Sequence, residues 1–331
     1  MTRLVLAGAG AIGRRHLEHI ADHPDLTLAA VIDPNPDVTK LTDAPVFATL
    51  EGANIDADGI VIATPTQDHE QTFAQAAERG WSALVEKPIA SDLNAADRMI
   101  ATAAKCGVHI LTGHHRRFHP KVRALRGALD MIGQPVLANV MWSVKKPEGY
   151  FDVPWRAGAD GAPVRMNVSH ELDLLQFVFG PVSDVAGLGG NPVRKAARVE
   201  SGGLVLSFES GLIATVTFAD TAPSPYGFEH GTGENPNIAH TGENSMHITG
   251  TKGAIAFPSL TFWRGGKDWG ELPVQEQIPS ENGTPLIDQF EHFARVIKGL
   301  EKPINDGTAG RRTLELTLLV ERLTLPRGVS S

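Results

Sequence analysis

One cysteine, Cys106, stands in 331 residues, so neither an intrachain disulfide nor a multi-cysteine zinc site can form. Such a chain has no need of an oxidising compartment, and a cytoplasmic location is expected. Basic charge is scarce as well: 30 Lys and Arg stand against 38 Asp and Glu, for a formal charge of -8. A general nucleic-acid binder relies on clustered cations, so no nucleic-acid partner is expected and a small molecule is. No window offers the roughly 18 apolar residues of a membrane span, and residues 1–8 run straight into a strand-like stretch too short for the core of a signal segment. No membrane partner is expected. What is present, 42% hydrophobic and 21% charged residues, is ordinary for a globular chain of about two domains.

The first third alternates short apolar runs, at 4–7, 28–32, 59–63, 83–85 and 109–112, with helically spaced segments at 12–21, 67–79 and 93–104. Strands separated by helices of this length run parallel, which predicts an α/β fold with a doubly wound sheet. After residue 119 the texture changes. A helix is expected at 120–129, a long strand-like run at 136–144 and a second helix at 168–179. Runs at 204–208, 212–218 and 246–250 read as antiparallel strands joined by short turns. Leu212, Ala214, Val216 and Phe218 alternate with Ile213, Thr215 and Thr217, giving one apolar face and one mixed face suited to association. Residues 222–243 read as a long loop in which His230 and His240 either close over substrate or stand exposed to solvent. A helix over 308–323 closes the chain.

The strongest motif is Gly8-Ala9-Gly10-Ala11-Ile12-Gly13, which follows a strand and opens a helix. Gly8 permits the tight turn, Gly10 lets backbone approach a pyrophosphate, and Gly13 lets helix and strand pack closely. The helix N-terminus adds N–H groups and a partial positive charge. Asp33 lies 20 residues past Gly13, where a carboxylate can accept from both ribose hydroxyls and repel a 2′-phosphate. Pro34 and Asn35 follow it rather than an arginine, so NAD is expected over NADP, with Arg14 and Arg15 pulling the other way. The competing reading is a structural turn with Asp33 as a loop cap.

Glu86-Lys87-Pro88 ends the strand at 83–85, on the side where open α/β sheets bind ligands. To act as a base near neutral pH, Lys87 must lose roughly three units from an ordinary pKa of about 10.4. The segments GAGAIGRRH, ATPTQDH (63–69), EKPIA (86–90) and GHHRRFHP (113–120) together resemble the glucose-fructose oxidoreductase / inositol dehydrogenase / MocA family. The resemblance implies a Rossmann domain over 1–119 and a substrate-binding and oligomerisation domain over 120–331, with a large open, mostly antiparallel sheet. It further implies an NAD(P)-dependent dehydrogenase or reductase of sugars, polyols or related hydroxy compounds, assembled as a homodimer or homotetramer. Lys87 becomes the catalytic lysine, and Ala11, Ile12, Thr64, Pro65, His69 and Glu86 are expected beside the cofactor with the glycines and Asp33.

The family's second signature, D-x-G-x-H-x-x-D, is matched by 166–173 only in part. His170 and Asp173 fall on the pattern, while Met166 and Val168 replace the Asp and the Gly. That leaves Lys87 and His170 as the chemical pair, with Asn167 as a hydrogen-bonding group for substrate. Lys87 would take the proton of a substrate hydroxyl as hydride passes to the nicotinamide, with His170 holding that hydroxyl or relaying the proton. His115, Arg116, Trp155 and Arg156 are further substrate candidates. Arg116, Arg117, Arg156 and Arg165 together raise the prospect of an acidic sugar or hydroxy acid. Thirteen histidines offer no His-x-x-x-His pair with a carboxylate, and no metal is expected. Two other functions stay open: a glycosidase that oxidises its sugar transiently on retained NAD, and a ligand sensor without turnover.

Overall fold

The computed structural model describes residues 1–158, 161–195 and 198–326, with the backbone alone at Pro154 and Trp155. The chain forms two compact units. In the first, Met1–Phe118 contributes strands β1 (Thr2–Ala7), β2 (Leu26–Ile32), β3 (Val46–Phe47), β4 (Gly59–Ile62), β5 (Ser82–Val85) and β6 (Ile110–Thr112). They pair in parallel in the order β3-β2-β1-β4-β5-β6. Leu4, Leu6, Val31, Val61, Leu84 and Leu111 are buried in one core, the pattern of strands covered on both faces. The order reverses beside β1, so the loops after β1 and β4 flank the position where such sheets hold nucleotides.

Helices α1 (Ala11–Asp22), α2 (His69–Ala77) and α3 (Leu93–Cys106) connect the strands. The cap of α3 shows why it starts and stops: Asp92 accepts the N–H of Ala95 at 2.9 Å, and Gly107 closes the helix at φ +67°. The helix expected over 67–79 is shorter, because Thr66–Asp68 winds as a tight 3-10 turn before α2 begins.

The second unit, His119–Thr284 with Leu316–Ser331, centres on an eight-stranded sheet. Its strands are β7 (Pro135–Ser143), β8 (Val182–Gly190), β9 (Ser201–Phe208), β10 (Ile213–Ala219), β11 (Met246–Gly250), β12 (Gly253–Phe257), β13 (Thr261–Arg264) and β14 (Val274–Gln277). The order is β14-β13-β12-β11-β7-β10-β9-β8, antiparallel at every step but β7–β10. The expected run of three turn-linked strands is corrected here. Of those three runs, β9 and β10 form a hairpin across Gly211 at φ +86°, whereas β7 separates β10 from β11.

Helices α4 (Pro120–Gly127), α5 (Pro154–Ala157), α6 (Ser169–Phe179) and α7 (Phe228–Thr232) belong to this unit. Leu172 and Leu175 of α6 share a core with Leu204, Leu206, Ala214, Val216 and Phe218 of the sheet. The alternation expected at 212–218 is therefore realised, with Ile213 and Thr217 exposed on the opposite face.

Two more helices end the chain, α8 (Pro285–Ile297) and α9 (Gly307–Leu323). Segment Pro285–Glu315 packs with the first unit, although the sequence division at 119/120 leaves it with the second. The reason is an apolar stripe: Phe290, Phe293, Ala294 and Val296 join the core of the parallel sheet. Gly59 makes room for them, since a Cβ there would lie 2.7 Å from Ile297 Cδ1.

Candidate active site

The glycine-rich turn has the shape its sequence requires. Gly8 sits at φ +87°, and a Cβ on it would meet the Ala63 carbonyl at 2.6 Å. A Cβ on Gly13 would lie 2.1 Å from the carbonyl oxygen of Gly8, so α1 can approach β1 only with glycine there. Gly10 differs: no atom lies within 4 Å of its would-be Cβ, so open space stands above the backbone at the start of α1. Gly10 is the N-cap and supplies no side chain to the first turn, a fit to a pyrophosphate. Asp33 Oδ2 accepts the N–H of Ala9 at 2.7 Å and Oδ1 that of Asn35 at 2.8 Å. These bonds tie the end of β2 to the turn and leave each oxygen a further lone pair for a ribose.

Behind the turn lies a clamp around Lys87. Glu86 Oε1 lies 2.8 Å from His16 Nε2, and Oε2 accepts the backbone N–H of Lys87 at 3.1 Å. Burial pushes the Glu86 carboxyl up, but the hydrogen bond and charge of His16, with Lys87 and His115 nearby, outweigh it and hold the group down at about 2. Gly113 is needed here because a Cβ would strike the carboxylate at 2.9 Å. His69 is buried with Nε2 3.0 Å from the Thr64 carbonyl and Nδ1 3.1 Å from that of Pro88. Burial pushes its pKa down. The two loops that carry Thr64 and Lys87 are thus joined by one ring.

The second unit gathers a different set. Lys146, just past β7, donates to Asn167 Oδ1 at 2.9 Å and lies 4.8 Å from the ring of Tyr150 and 5.4 Å from that of Trp142. Burial pushes its pKa down. Arg156 lies over Tyr150 at 4.5 Å, while Arg194 and Arg198 lie over Phe151 at 4.4 and 3.8 Å. Arg194 pairs with buried Asp220 at 2.6 Å, and burial pushes that carboxyl up against the pull of the arginine. The loop bearing Arg194 is fixed by Glu200, which accepts the N–H groups of Val193 and Arg194 at 2.9 and 2.7 Å.

The residues singled out in the sequence divide accordingly. Gly8, Gly10, Ala11, Ile12, Gly13, Asp33, Thr64, Pro65, His69, Glu86, Lys87, His115 and Arg116 belong to the first unit, and Arg156, Asn167 and His170 to the second. His69 and Glu86 differ from expectation in what their polar atoms do, because these are turned to backbone carbonyls, to His16 and to the Lys87 amide. Arg116 is 2% exposed and presents no surface to a ligand, and Arg117 donates to the Ile304 carbonyl. Arg165 is held by both oxygens of Glu321 at 2.9 and 2.7 Å. Of the expected arginine set, only Arg156 joins the cationic cluster. The Trp155 side chain lies outside the described residues. His170 is buried on the first turn of α6 with Asp173 one turn on.

Asn167 lies in a five-residue π-helical turn, Val164–Val168, an irregularity frequent at functional sites. It caps nothing: its oxygen faces Lys146, and the Ser169 hydroxyl donates back to the Arg165 carbonyl at 2.8 Å. His230 and His240 hydrogen-bond within their own loop, to the carbonyls of Ala239 and Gly231 at 2.8 and 3.2 Å. Sequence reasoning missed Lys146, Arg194, Arg198 and Asp220. The available signal was Lys145-Lys146-Pro147 directly after a long strand.

A family model described as an oxidoreductase family with an NAD-binding Rossmann fold matches residues 2–114, and a GFO/IDH/MocA C-terminal domain model matches residues 122–256. The rhizopine catabolism protein MocA of Rhizobium meliloti is 33% identical over 186 residues, spanning 54% of this chain and 57% of that protein. Inositol 2-dehydrogenase of Rhizobium meliloti strain 1021 is 25% identical over 326 residues, 92% of this chain and 89% of its own. A solved UDP-N-acetylglucosamine 3-dehydrogenase from Acidithiobacillus ferrooxidans superposes with a TM-score of 0.78 at 22% identity, covering 98% of this chain and 97% of that one, a likeness of fold. With an NAD-binding Rossmann unit built on Gly8, Gly10 and Gly13 and a matching C-terminal domain, the chain belongs to the GFO/IDH/MocA family of oxidoreductases.

Proposed function

We propose that the chain is an NAD-dependent oxidoreductase that moves a hydride between the nicotinamide and a secondary alcohol or ketone of a sugar, polyol or sugar-acid-like substrate. The observation that carries this reading is the clamp on Lys87. A lysine at the carboxyl end of β5 is held on a loop fixed by His16, Glu86 and His69, next to a glycine turn shaped for a dinucleotide. When bound, NAD supplies the hydride acceptor. Gly10 and the start of α1 hold the pyrophosphate, and Asp33 accepts from the ribose hydroxyls, which favours NAD over NADP. Lys87 takes the proton of the substrate hydroxyl, and His170 serves as a second proton-handling group in the same reaction. Asn167 and Arg156 contact substrate.

Purified protein with NAD, tested against sugars, inositols, sugar acids and hydroxy acids, is expected to reduce the nicotinamide only when the right substrate is added. Turnover that persists undiminished in Lys87→Ala would overturn the mechanism.

The open face of the second sheet supports a homodimer or homotetramer. Leu137, Met141, Val205 and Ile213 are exposed on adjacent strands, with Thr215 and Thr217 among them. Sedimentation equilibrium checks this, and a Met141→Lys variant should shift the chain toward monomer. The same reading places the protein in the cytoplasm, where its single cysteine stays reduced.

A further inference from the structure

We infer that the second unit recognises a compact oxyanion carried by the substrate, a carboxylate or a phosphate, in the cleft beside Lys146 and Arg194. The word substrate rests on the oxidoreductase reading above; the anion site itself does not. The cleft has a volume of about 860 Å³ and is lined by Lys145, Lys146, Phe151 and Arg194 together with exposed Glu148 and Asp152. That is the size range of small-molecule sites.

The polar atoms around it have an excess of donors. Three buried carboxylates stand near, and each has a fixed partner: Glu200 takes two backbone N–H groups, Asp220 takes Arg194 through Oδ1 while its Oδ2 is buried without a donor, and Glu229 takes the Trp142 indole at 3.1 Å. Two cations form no ion pair with a carboxylate among the described residues, although Asp220 lies near both, Glu229 near Lys146 and Glu200 near Arg198. The hydrogen-bond acceptor of Lys146 is an amide oxygen, that of Asn167. Arg198, 6% exposed, donates through Nη1 to the Arg156 carbonyl, and its Nε is buried with no acceptor. A half-buried ammonium and a buried guanidinium with no carboxylate in direct contact gain from an anion that completes their hydrogen bonds.

The scaffold holds these groups in place rather than leaving them to sweep through solvent. Aromatic faces of Trp142, Tyr150 and Phe151 seat the four cations, Glu200 fixes the loop under Arg194, and the π-helical turn presents Asn167 to Lys146. Arginine and lysine so fixed are suited to carboxylate and phosphate alike, because both offer several acceptor oxygens in a compact charged group. Glu148 and Asp152 do not cancel this, since exposed charges are screened by water.

The test uses the full chain with NAD and compares gluconate, glucuronate and glucose 6-phosphate with glucose and myo-inositol, in turnover and in calorimetric binding. At least one charged compound is expected to exceed the neutral ones about 30-fold in kcat/KM, with a KM that rises with salt. In Lys146→Gln the charged-to-neutral ratio should fall about tenfold, through KM, while Lys146→Arg retains it. Preference for the acids identifies a carboxylate, and preference for the sugar phosphate identifies a phosphate. Equal, salt-independent turnover of charged and neutral compounds would overturn the anion site while the oxidoreductase reading stands. Salt-sensitive binding of a charged compound that is lost in Lys146→Gln, without turnover of anything, would keep the anion site and sink the oxidoreductase reading. Should Lys146→Gln fail to fold, the wild-type ratio and its salt dependence decide the matter alone.

Discussion

His16 and Glu86 are joined by a 2.8 Å hydrogen bond across 70 residues of sequence, and the bond ties the nucleotide helix to the loop that bears Lys87. His16 is fully buried with its ring edge-on to Phe290 at a centroid distance of 5.4 Å, so it has no freedom to swing away. The placement of Lys87 and the packing of α1 are in this way a single structural fact.

A pH dependence of stability follows from that bond. Glu86 is held at about 2, below its ordinary 4.5, and its side chain is 14% exposed. A depressed carboxyl contributes stability that is complete above the ordinary value and is lost as pH falls through the folded one. Here the contribution is about 3 kcal/mol at neutral pH, gone by about pH 2. Chemical denaturation between about pH 6 and about pH 3 should show a steeper loss for wild type than for Glu86→Gln. Parallel profiles would mean that Glu86 is not so held.

Lys87→Ala should keep NAD affinity within about threefold and lower kcat by about 10²–10⁴, the usual range for a lost proton-transfer group. Rescue of turnover by raised pH or added amines would strengthen the assignment. A comparable loss in NAD affinity would instead make Lys87 a cofactor contact.

The glycines separate folding from binding. Gly8→Ala forces a side chain into the left-handed region and onto the Ala63 backbone, and should lower the melting temperature by several degrees, on the order of 1–3 kcal/mol. Gly10→Ala has φ -67° and free space, so its melting temperature should match wild type while NAD affinity drops at least about tenfold. Calorimetry on both variants decides, and unimpaired NAD binding by Gly10→Ala would remove the pyrophosphate from this turn.

Asp33→Asn should weaken NAD by about tenfold to a hundredfold and narrow the gap to NADP, because the amide neither takes two charge-assisted bonds nor repels a 2′-phosphate. An unchanged preference would take Asp33 out of the ribose site.

Much of the first unit was legible because its information is local. Each strand of the parallel sheet is a short run of apolar residues, and the glycine spacing with Asp33 carries its own geometric meaning. The motifs pointed to His69 and Glu86 beside the cofactor but not to where their polar atoms turn, which is to the Thr64 and Pro88 carbonyls and to His16. Helix α8 stands outside the alternation of strands and helices that marks the first unit and stops near residue 119, although Leu286, Phe290, Phe293 and Val296 recur at helical spacing. The cationic cluster was illegible for a deeper reason. Lys146 follows β7, Arg156 lies on α5, and Arg194 and Arg198 share the segment between β8 and β9, all in one unit, and no periodicity encodes such a meeting. Arg165 shows the converse, a cation that looked available until Glu321, 156 residues away, claimed it.

Because the chain leaves the first unit at Phe118 and re-enters it at Pro285, the nucleotide-binding half is finished late in biosynthesis. As residues emerge from the ribosome at roughly 5–20 per second, the parallel sheet waits for most of the chain to be made before Phe290 and Phe293 arrive to seal it. The ribosome thus delivers the second unit's sheet before the first unit's core is closed. A fragment stopping near residue 119 carries every nucleotide motif yet lacks its seal, and should stick to chaperones or to itself rather than bind NAD.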